Sequence, residues 1–371
     1  MRFASPRSRS RRGIRLVEVV VVAFILICIA AVVLPQLQSV RDGGSRPNTC
    51  RNNMRGLAAA LFNNSVRNGA YPGYINALSL QDGSAYREPH SNFITPVSWA
   101  VMILPDIDRA PLFDQWRMET KSVQGNAFIK PQIYIDQFLC PSDPQSSKAG
   151  TPLSFVVNTG LPDAPTAVID STDPTRSTPR DWAANGMFFD HFSEHPLVKP
   201  DPEKRGPMVL MKDEMVRDRK DRTILLTENV DAGNYAFASE AGSRDGWTTT
   251  EIEVGCIWRP GTFEGTGKPP QLKPPVASLQ PNVELGKGDG KSYDHCRPSS
   301  RHPQSVNVAF VEQNVMPLRD TISYFVYAKL MSSDDAGVAP AGRPRDEATI
   351  SAMDPHRFLR EFELTEGDIN P

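Results

Sequence analysis

The chain has 371 residues, 39% hydrophobic and 23% charged, with a formal net charge of -2. This composition excludes a collagenous or intrinsically disordered chain, and the near-neutral balance excludes the overall basicity of a nucleic-acid binder, so no nucleic acid is expected as a partner. Proline, at 33 residues, is about double its usual share and predicts turns and short strands beyond the N-terminal region.

Arg2, Arg7, Arg9, Arg11 and Arg12 make the start of the chain basic, with no acid among them. From Leu16 to Leu34 the sequence LVEVVVVAFILICIAAVVL is almost unbroken hydrophobe. At about 1.5 Å per residue such a run spans roughly 28 Å, the thickness of a bilayer core. The arginines predict a cytoplasmic N-terminus, with the rest of the chain on the far side of the membrane. A cleavable secretory signal has a shorter apolar core followed by small residues. Here Pro35-Gln36-Leu37-Gln38 follows, and the small pair Ala30-Ala31 lies inside the run. Cys28, also inside it, reads as a small apolar residue. Glu18 is the exception, since a carboxylate in an apolar helix costs about 2.5–3.5 kcal/mol on insertion scales and calls for a partner.

The stretch Arg11-Arg12-Gly13-Ile14-Arg15-Leu16-Val17-Glu18 resembles the processing site of type IV prepilins and type II secretion pseudopilins. The resemblance implies cleavage after Gly13 by a prepilin peptidase, methylation of the new terminus at Ile14, and pairing of Glu18 with the terminal amine of a neighbouring pilin-like subunit. Pro35 falls where pilins often carry a helix-kinking proline. Ile14 and Arg15 replace the usual phenylalanine and threonine, while Gly13 and Glu18, which carry the chemistry, are in place.

Beyond the run, Gly43, Gly44 and Pro47 predict a break in the helix, with Asn48 or Thr49 capping a second one. In that second helix Cys50, Met54, Leu57, Ala58, Leu61 and Phe62 recur at three- and four-residue spacing, an apolar face turned to a core. Asn68-Gly69 and Pro72-Gly73 end it. Residues 98–104 read as a helix or buried segment stopped by Pro105, and 110–116 as a helical turn. Strands are expected at 154–157, 223–227 and 306–311. The last alternates Val306, Val308 and Phe310 against Asn307 and Ala309. Proline-rich stretches near 141–180, 196–207 and 260–281 read as loops. After about Asp334 the tail is polar, with a short peripheral helix expected at Phe358-Leu359-Phe362-Leu364.

The chain thus divides into a basic leader (1–13), a transmembrane helix (14–35), a kinked linker with an amphipathic helix (36–70), an exported β-rich domain (71–335) and a polar tail (336–371). The expected fold class is α+β and pilin-like: a long N-terminal helix packed on a mainly antiparallel β domain.

Several patterns carry candidate chemistry. His191-Phe192-Ser193-Glu194-His195 matches a metalloprotease pattern that needs both histidines on one helical face. Pro196 follows at once, and a loop with two solvent-exposed histidines is the expectation. Residues 286–292, GKGDGKS, lack the first glycine of a phosphate loop, because Leu285 occupies its place. Asp106 and Asp108, or Asp143, could contribute to a structural calcium site, without EF-hand spacing. His302 is read as a strand-edge hydrogen-bonding residue rather than a metal ligand, since no paired histidine or cysteine chemistry is evident near it. Cys50, Cys140, Cys256 and Cys296 contain no CxxC and permit two disulfides in an oxidising compartment, in three pairings that sequence leaves open.

Cys50-Arg51-Asn52-Asn53-Met54, Ser98-Trp99, Leu104-Pro105, Cys140-Pro141-Ser142-Asp143-Pro144, Asn158-Thr159-Gly160, Thr227-Glu228-Asn229 and His302 follow one another in this order. Together they resemble a large planctomycete family of prepilin-like proteins with a domain of unknown function and a C-terminal motif of His, nine residues, then Asp-Gly. Here Glu312-Gln313 stands in place of Asp-Gly, and because glycine suits the positive φ of a tight hairpin, an altered turn is expected. The resemblance implies an architecture and an export route, not a reaction. The chain is therefore expected to be no enzyme and to need no cofactor beyond any loop calcium. Its expected partners are prepilin peptidase, other pilin-like subunits and the membrane. Its expected location is the cytoplasmic (inner) membrane, single-pass, with a periplasmic or extracellular C-terminal domain. The alternatives are a membrane-tethered solute- or glycan-binding domain that uses the prepilin segment only for export, and an anchored hydrolase built on His191, Glu194 and His195.

Overall fold

The computed structural model describes residues 45–79, 94–118, 131–143, 150–161, 179–238, 249–258 and 296–338, with short pieces at 121–122, 125–128, 262–264, 271–273 and 366–369 and a few single positions. Gly13, Ile14, Glu18, Pro35 and the 286–292 loop lie outside the described residues. Of the apolar run, Val21, Phe24 and Ile25 are described; they are helical and exposed. Among the described residues no helix is long and apolar enough to cross a membrane. The chain divides into two compact units, Met1–Asn48 and Thr49–Pro371. The amphipathic helix therefore belongs largely to the second, globular unit.

That helix, α1 (Ser45–Asn68), starts earlier than expected and carries Pro47 in its first turn. Proline does not break a helix there, because the first amides have no intrahelical acceptor to lose. Most of its expected apolar face is buried: Cys50, Met54, Leu57, Ala58 and Leu61 sit in the core, while Phe62 is only partly buried. Gly69, at φ 77°, closes the helix in the left-handed conformation that glycine adopts without a steric cost.

A small sheet follows. β1 (Ile75–Ser79) pairs antiparallel with β2 (Ile94–Ser98) and parallel with the two-residue β6 (Asp190–His191), giving the order β2-β1-β6. After β2 come α2 (Trp99–Met102), a 3-10 turn over Leu104–Ile107 and α3 (Ala110–Arg117). Pro105 does stop α2, but the chain continues as that tighter turn. Two short hairpins form two-stranded sheets of their own: β3 (Lys121–Ser122) with β4 (Gly125–Phe128), and β9 (Thr262–Glu264) with β10 (Gln271–Lys273).

The main sheet has five strands: β5 (Phe155–Gly160), β7 (Ile224–Glu228), β8 (Gly255–Ile257), β11 (Ser305–Phe310) and β12 (Val315–Arg319). Their order is β12-β11-β7-β5-β8. Three of the four pairings are antiparallel, and β5 runs parallel to β8. The class is α+β with mixed sheets, not a purely antiparallel one. The three expected strands fall on β5, β7 and β11. Every residue of β5 and β7 is buried, as befits central strands covered on both faces. The alternation read in β11 does not become an exposed face, because Asn307 and Ala309 are buried as well.

β11 and β12 are joined by a tight turn that keeps its hydrogen bonds. Gln313 N donates to Phe310 O at 2.8 Å, and Phe310 N donates to Asn314 O at 3.0 Å. Gln313 itself takes the left-handed conformation, φ 68°. The expected altered turn is not found: glutamine occupies the glycine-type position and the hairpin closes around it. Next, α5 (Tyr324–Met331), preceded by α4 (Thr249–Val254) in the chain, is buried along its whole length. Sequence reading missed it. Ser323 caps it by accepting from Val326 N at 3.2 Å, and Tyr327 donates its hydroxyl proton to Ile257 O at 2.6 Å. Asn158 of β5 reaches both Ile224 O and Met331 O, at 2.8 and 2.7 Å, which ties the sheet to the end of α5.

Candidate functional site

Four of the segments singled out in the sequence meet at one place. Cys50 lies on α1, Cys140 follows a 3-10 turn over Asp136–Phe138, Glu228 ends β7, and His302 lies just ahead of β11. All four are buried, and their ligand-type atoms lie within 4.8 Å of one another. Cys50 and Cys140 form a disulfide that closes a separation of 90 residues. Cys256 and Cys296 are free and buried, so among the described residues there is one disulfide where two were permitted. Burial pushes the Cys296 thiol well above its ordinary pKa, and the nearby Glu251 adds to the shift.

His302 is the hub. Its Nε2 lies 3.5 Å from Cys140 Sγ and 3.1 Å from Glu228 Oε1. A carboxylate only accepts, so Nε2 carries the proton and donates it to Glu228. The expectation that no cysteine accompanies His302 is thereby corrected, because Cys140 is brought to it across the fold. Glu228 is held from below by β11: Asn307 N donates to Oε2 at 2.9 Å and Asn307 Nδ2 donates to Oε1 at 3.0 Å. Arg51, next to the disulfide on α1, donates from Nε to Asn307 Oδ1 at 3.1 Å. The buried carboxyl group of Glu228 thus meets three donors, the kind of pairing that makes its burial tolerable.

The surrounding loops are tied to the same centre. Asp143 accepts from Ser154 Oγ at 2.9 Å while Asp143 N donates to Cys140 O at 2.9 Å, so the Cys140–Asp143 turn is fixed against the entry to β5. Ser299 N donates to Glu228 O at 2.9 Å, and Ser299 Oγ donates to Asn229 Oδ1 at 3.2 Å. His302 N donates to Ser300 Oγ at 3.0 Å. The cavity among Cys140, Asp143, Glu228 and Ser299 is about 10 Å³. That is room for one water or ion at most and no organic substrate.

The geometry also decides against a nucleophile relay. In such a relay the histidine faces the nucleophile with one ring nitrogen and its orienting carboxylate with the other. Here Nε2 faces both the sulfur and the carboxylate.

The other sequence candidates are not assembled into sites. His191 lies in β6 and donates from Nε2 to Val209 O at 2.9 Å; its pKa is lowered to about 4 by burial. Glu194 pairs with Lys199 at 2.7 Å and accepts from Gly206 N at 2.8 Å. His195 lies in a turn and accepts at Nδ1 from Leu197 N at 3.2 Å. The histidines do not share a helical face, and they are partly buried rather than exposed. Asp106 pairs with Arg67 at 2.8 Å and accepts from Asn64 at 3.0 Å. Asp108 is an exposed turn residue at φ 59°, and Asp143 is engaged by Ser154. These three carboxylates do not form a common cluster among the described residues.

Sequence reading also missed Asn307 and Arg51 as members of the centre. The available signal was an amide flanked by Val306, Val308, Ala309 and Phe310: a buried asparagine in such a strand needs partners.

The family model described as "Protein of unknown function (DUF1559)" matches residues 38–323, and the chain belongs to that family. The matched region contains Cys50, Cys140, Glu228 and His302. No curated protein and no solved structure matches the chain.

Proposed function

We propose that this is a prepilin-like, single-pass membrane protein of the planctomycete type described above. In this reading it is processed by prepilin peptidase after Gly13, methylated at Ile14, and assembled in or displayed by a pilus or type II secretion-like system. Its α+β unit stands outside the cytoplasmic membrane as a pilin-like head, and the protein is not an enzyme. The buried Cys50–Cys140 disulfide supports this reading most directly, because such bonds persist in oxidising compartments and are rare in the cytosol. It lies shortly after the apolar run in sequence. The buried α1 face agrees with a display or assembly role.

Mass spectrometry of the native N-terminus tests the proposal. A chain beginning at methylated Ile14 is expected. An intact Met1, or a start near Ala31, would overturn it.

One observation favours the alternative of a membrane-tethered solute- or glycan-binding domain. A cavity of about 360 Å³ is lined by Arg217, Arg219, Arg222 and Lys329 together with Asp218 and Asp335, a setting suited to a ligand bearing an anionic group. Under that reading Glu18→Ala leaves function intact, whereas under the assembly reading it abolishes incorporation of the subunit.

A further inference from the structure

We propose that Cys50, Cys140, His302 and Glu228 form, once the Cys50–Cys140 disulfide is reduced, a closed four-ligand site for a divalent cation of the Zn²⁺ class. Disulfide and metal are then alternative occupants of one centre. The proposal rests on the geometry of the cluster and not on the export reading.

Four ligand atoms of the types that zinc takes converge within 4.8 Å and are wholly enclosed. The His302 Nε2 to Cys140 Sγ distance is 3.5 Å, and Nε2 to Glu228 Oε1 is 3.1 Å. With metal–sulfur bonds of about 2.3 Å and metal–nitrogen or metal–oxygen bonds of about 2.0–2.1 Å, the sulfur–nitrogen and nitrogen–oxygen edges of a tetrahedron are roughly 3.4–3.6 Å. Two of the site's edges therefore already have nearly the required length, and the same ring nitrogen defines both. After reduction the two sulfurs must move apart to about 3.8 Å, the S–S edge of that tetrahedron, within reach of side-chain rotation. The donor set of two thiolates, one imidazole and one carboxylate is too soft for calcium or magnesium and suits zinc or cobalt. Glu228 is already steadied through its other oxygen by Asn307 N, at 2.9 Å, the kind of outer contact that orients a ligating carboxylate. All four ligands come from protein side chains and leave no position for a bound substrate, so the site is structural in kind.

The chemistry balances. A dithiol or phosphine reductant supplies two electrons and is itself oxidised, and two protons convert the disulfide to two thiols. The cation then displaces both thiol protons to solvent and binds two thiolates, while His302 moves its proton to Nδ1 so that Nε2 can ligate. Reoxidation requires release of the cation.

The test uses the full chain in detergent, in oxidised and phosphine-reduced samples, exposed anaerobically to Zn²⁺ and desalted. Elemental analysis is expected to find about one zinc per reduced chain and essentially none per oxidised chain. His302→Gln is expected to weaken retention against a chelator by 10-fold or more. A Cys256→Ser, Cys296→Ser variant should bind as the wild type does. Cobalt(II) should give thiolate-to-metal charge-transfer absorption in the reduced chain alone. Equal zinc in the two samples, or binding that survives Cys50→Ser with Cys140→Ser, would overturn the proposal. Binding that requires Cys256 or Cys296 would overturn it as well. If reduction unfolds the chain, zinc is expected to restore the native circular dichroism, and a reduced chain that stays unfolded in excess zinc refutes the site.

Discussion

Asn307 shows how one side chain can hold a charged centre together. Its backbone N–H and side-chain amide both donate to Glu228, and its carbonyl oxygen accepts from Arg51. Asn307→Ala keeps the backbone bond but leaves one carboxylate oxygen and the guanidinium short of a partner. A loss of about 2–3 kcal/mol is expected, read from the midpoint of urea denaturation. Asn307→Asp preserves size but sets a second carboxylate against Glu228. It is expected to be worse than alanine at pH 8 and to recover at pH 5, where one of the two takes a proton. An aspartate variant equally stable at both pH values would count against the arrangement. The residue was legible in sequence only as the polar member of an alternating strand. Alternation assigns it to a face, but it cannot say that the face is covered.

At the scale of elements, apolar runs and their punctuation marked the strands well. β7 and β11 fall within one residue of their expected bounds, β5 runs three residues further than expected, and α1 ends where Asn68-Gly69 says it should. The misses have physical causes. α5 is buried on all sides, so its sequence carries no period to detect. Pro47 was read as a breaker because its place in the first turn depends on where the helix starts. The β11–β12 turn was expected to be altered because Gln313 replaces glycine, yet the flanking ladder holds the glutamine at φ 68°. That conformation is strained for a side chain with a Cβ, while glycine gives the unfolded chain more freedom. Gln313→Gly is therefore expected to gain only about 0.5 kcal/mol, and Gln313→Val, being β-branched, to lose about 1 kcal/mol or more. Both shifts are measurable by thermal denaturation, and a destabilised glycine variant would mean that the Gln313 side chain makes contacts that outweigh its backbone strain. The disulfide belongs to this scale too. By closing 90 residues it is expected to contribute about 2–4 kcal/mol, lost in a Cys50→Ser, Cys140→Ser variant.

At the scale of the whole molecule, the centre was present in the sequence only as fragments. Cys50 and Cys140 are 90 residues apart, Cys140 and His302 are 162 apart, and Glu228 and His302 are 74 apart. Local pattern marked each piece, but only the sheet order β12-β11-β7-β5-β8 brings the end of β7 beside β11 and α1. Distant parts of the fold are also coupled through pH. His191, its pKa lowered to about 4 by burial despite the neighbouring Asp190, stays neutral in the folded chain while the unfolded chain takes up a proton below about 6.5. Its contribution is therefore lost as pH falls from 6.5 towards 4. Asp218, raised to about 6 by burial and by Asp335, holds a proton that the unfolded chain releases above about 4. Its contribution is lost as pH rises through 6. His195, also lowered, acts in the direction of His191, and Asp335, also raised, acts in that of Asp218. Between pH 4 and 6 the two sets oppose each other, so the wild-type stability profile is expected to be flat in that window. His191→Gln removes one side and should make stability fall as pH rises. Asp218→Asn removes the other and should make it fall as pH drops. Each slope is expected to amount to about 1 kcal/mol across the window once solvent screening is allowed for. Urea midpoints at pH 4.5, 6 and 7.5 decide the matter: single variants that keep the wild-type profile would show that these two groups do not set it.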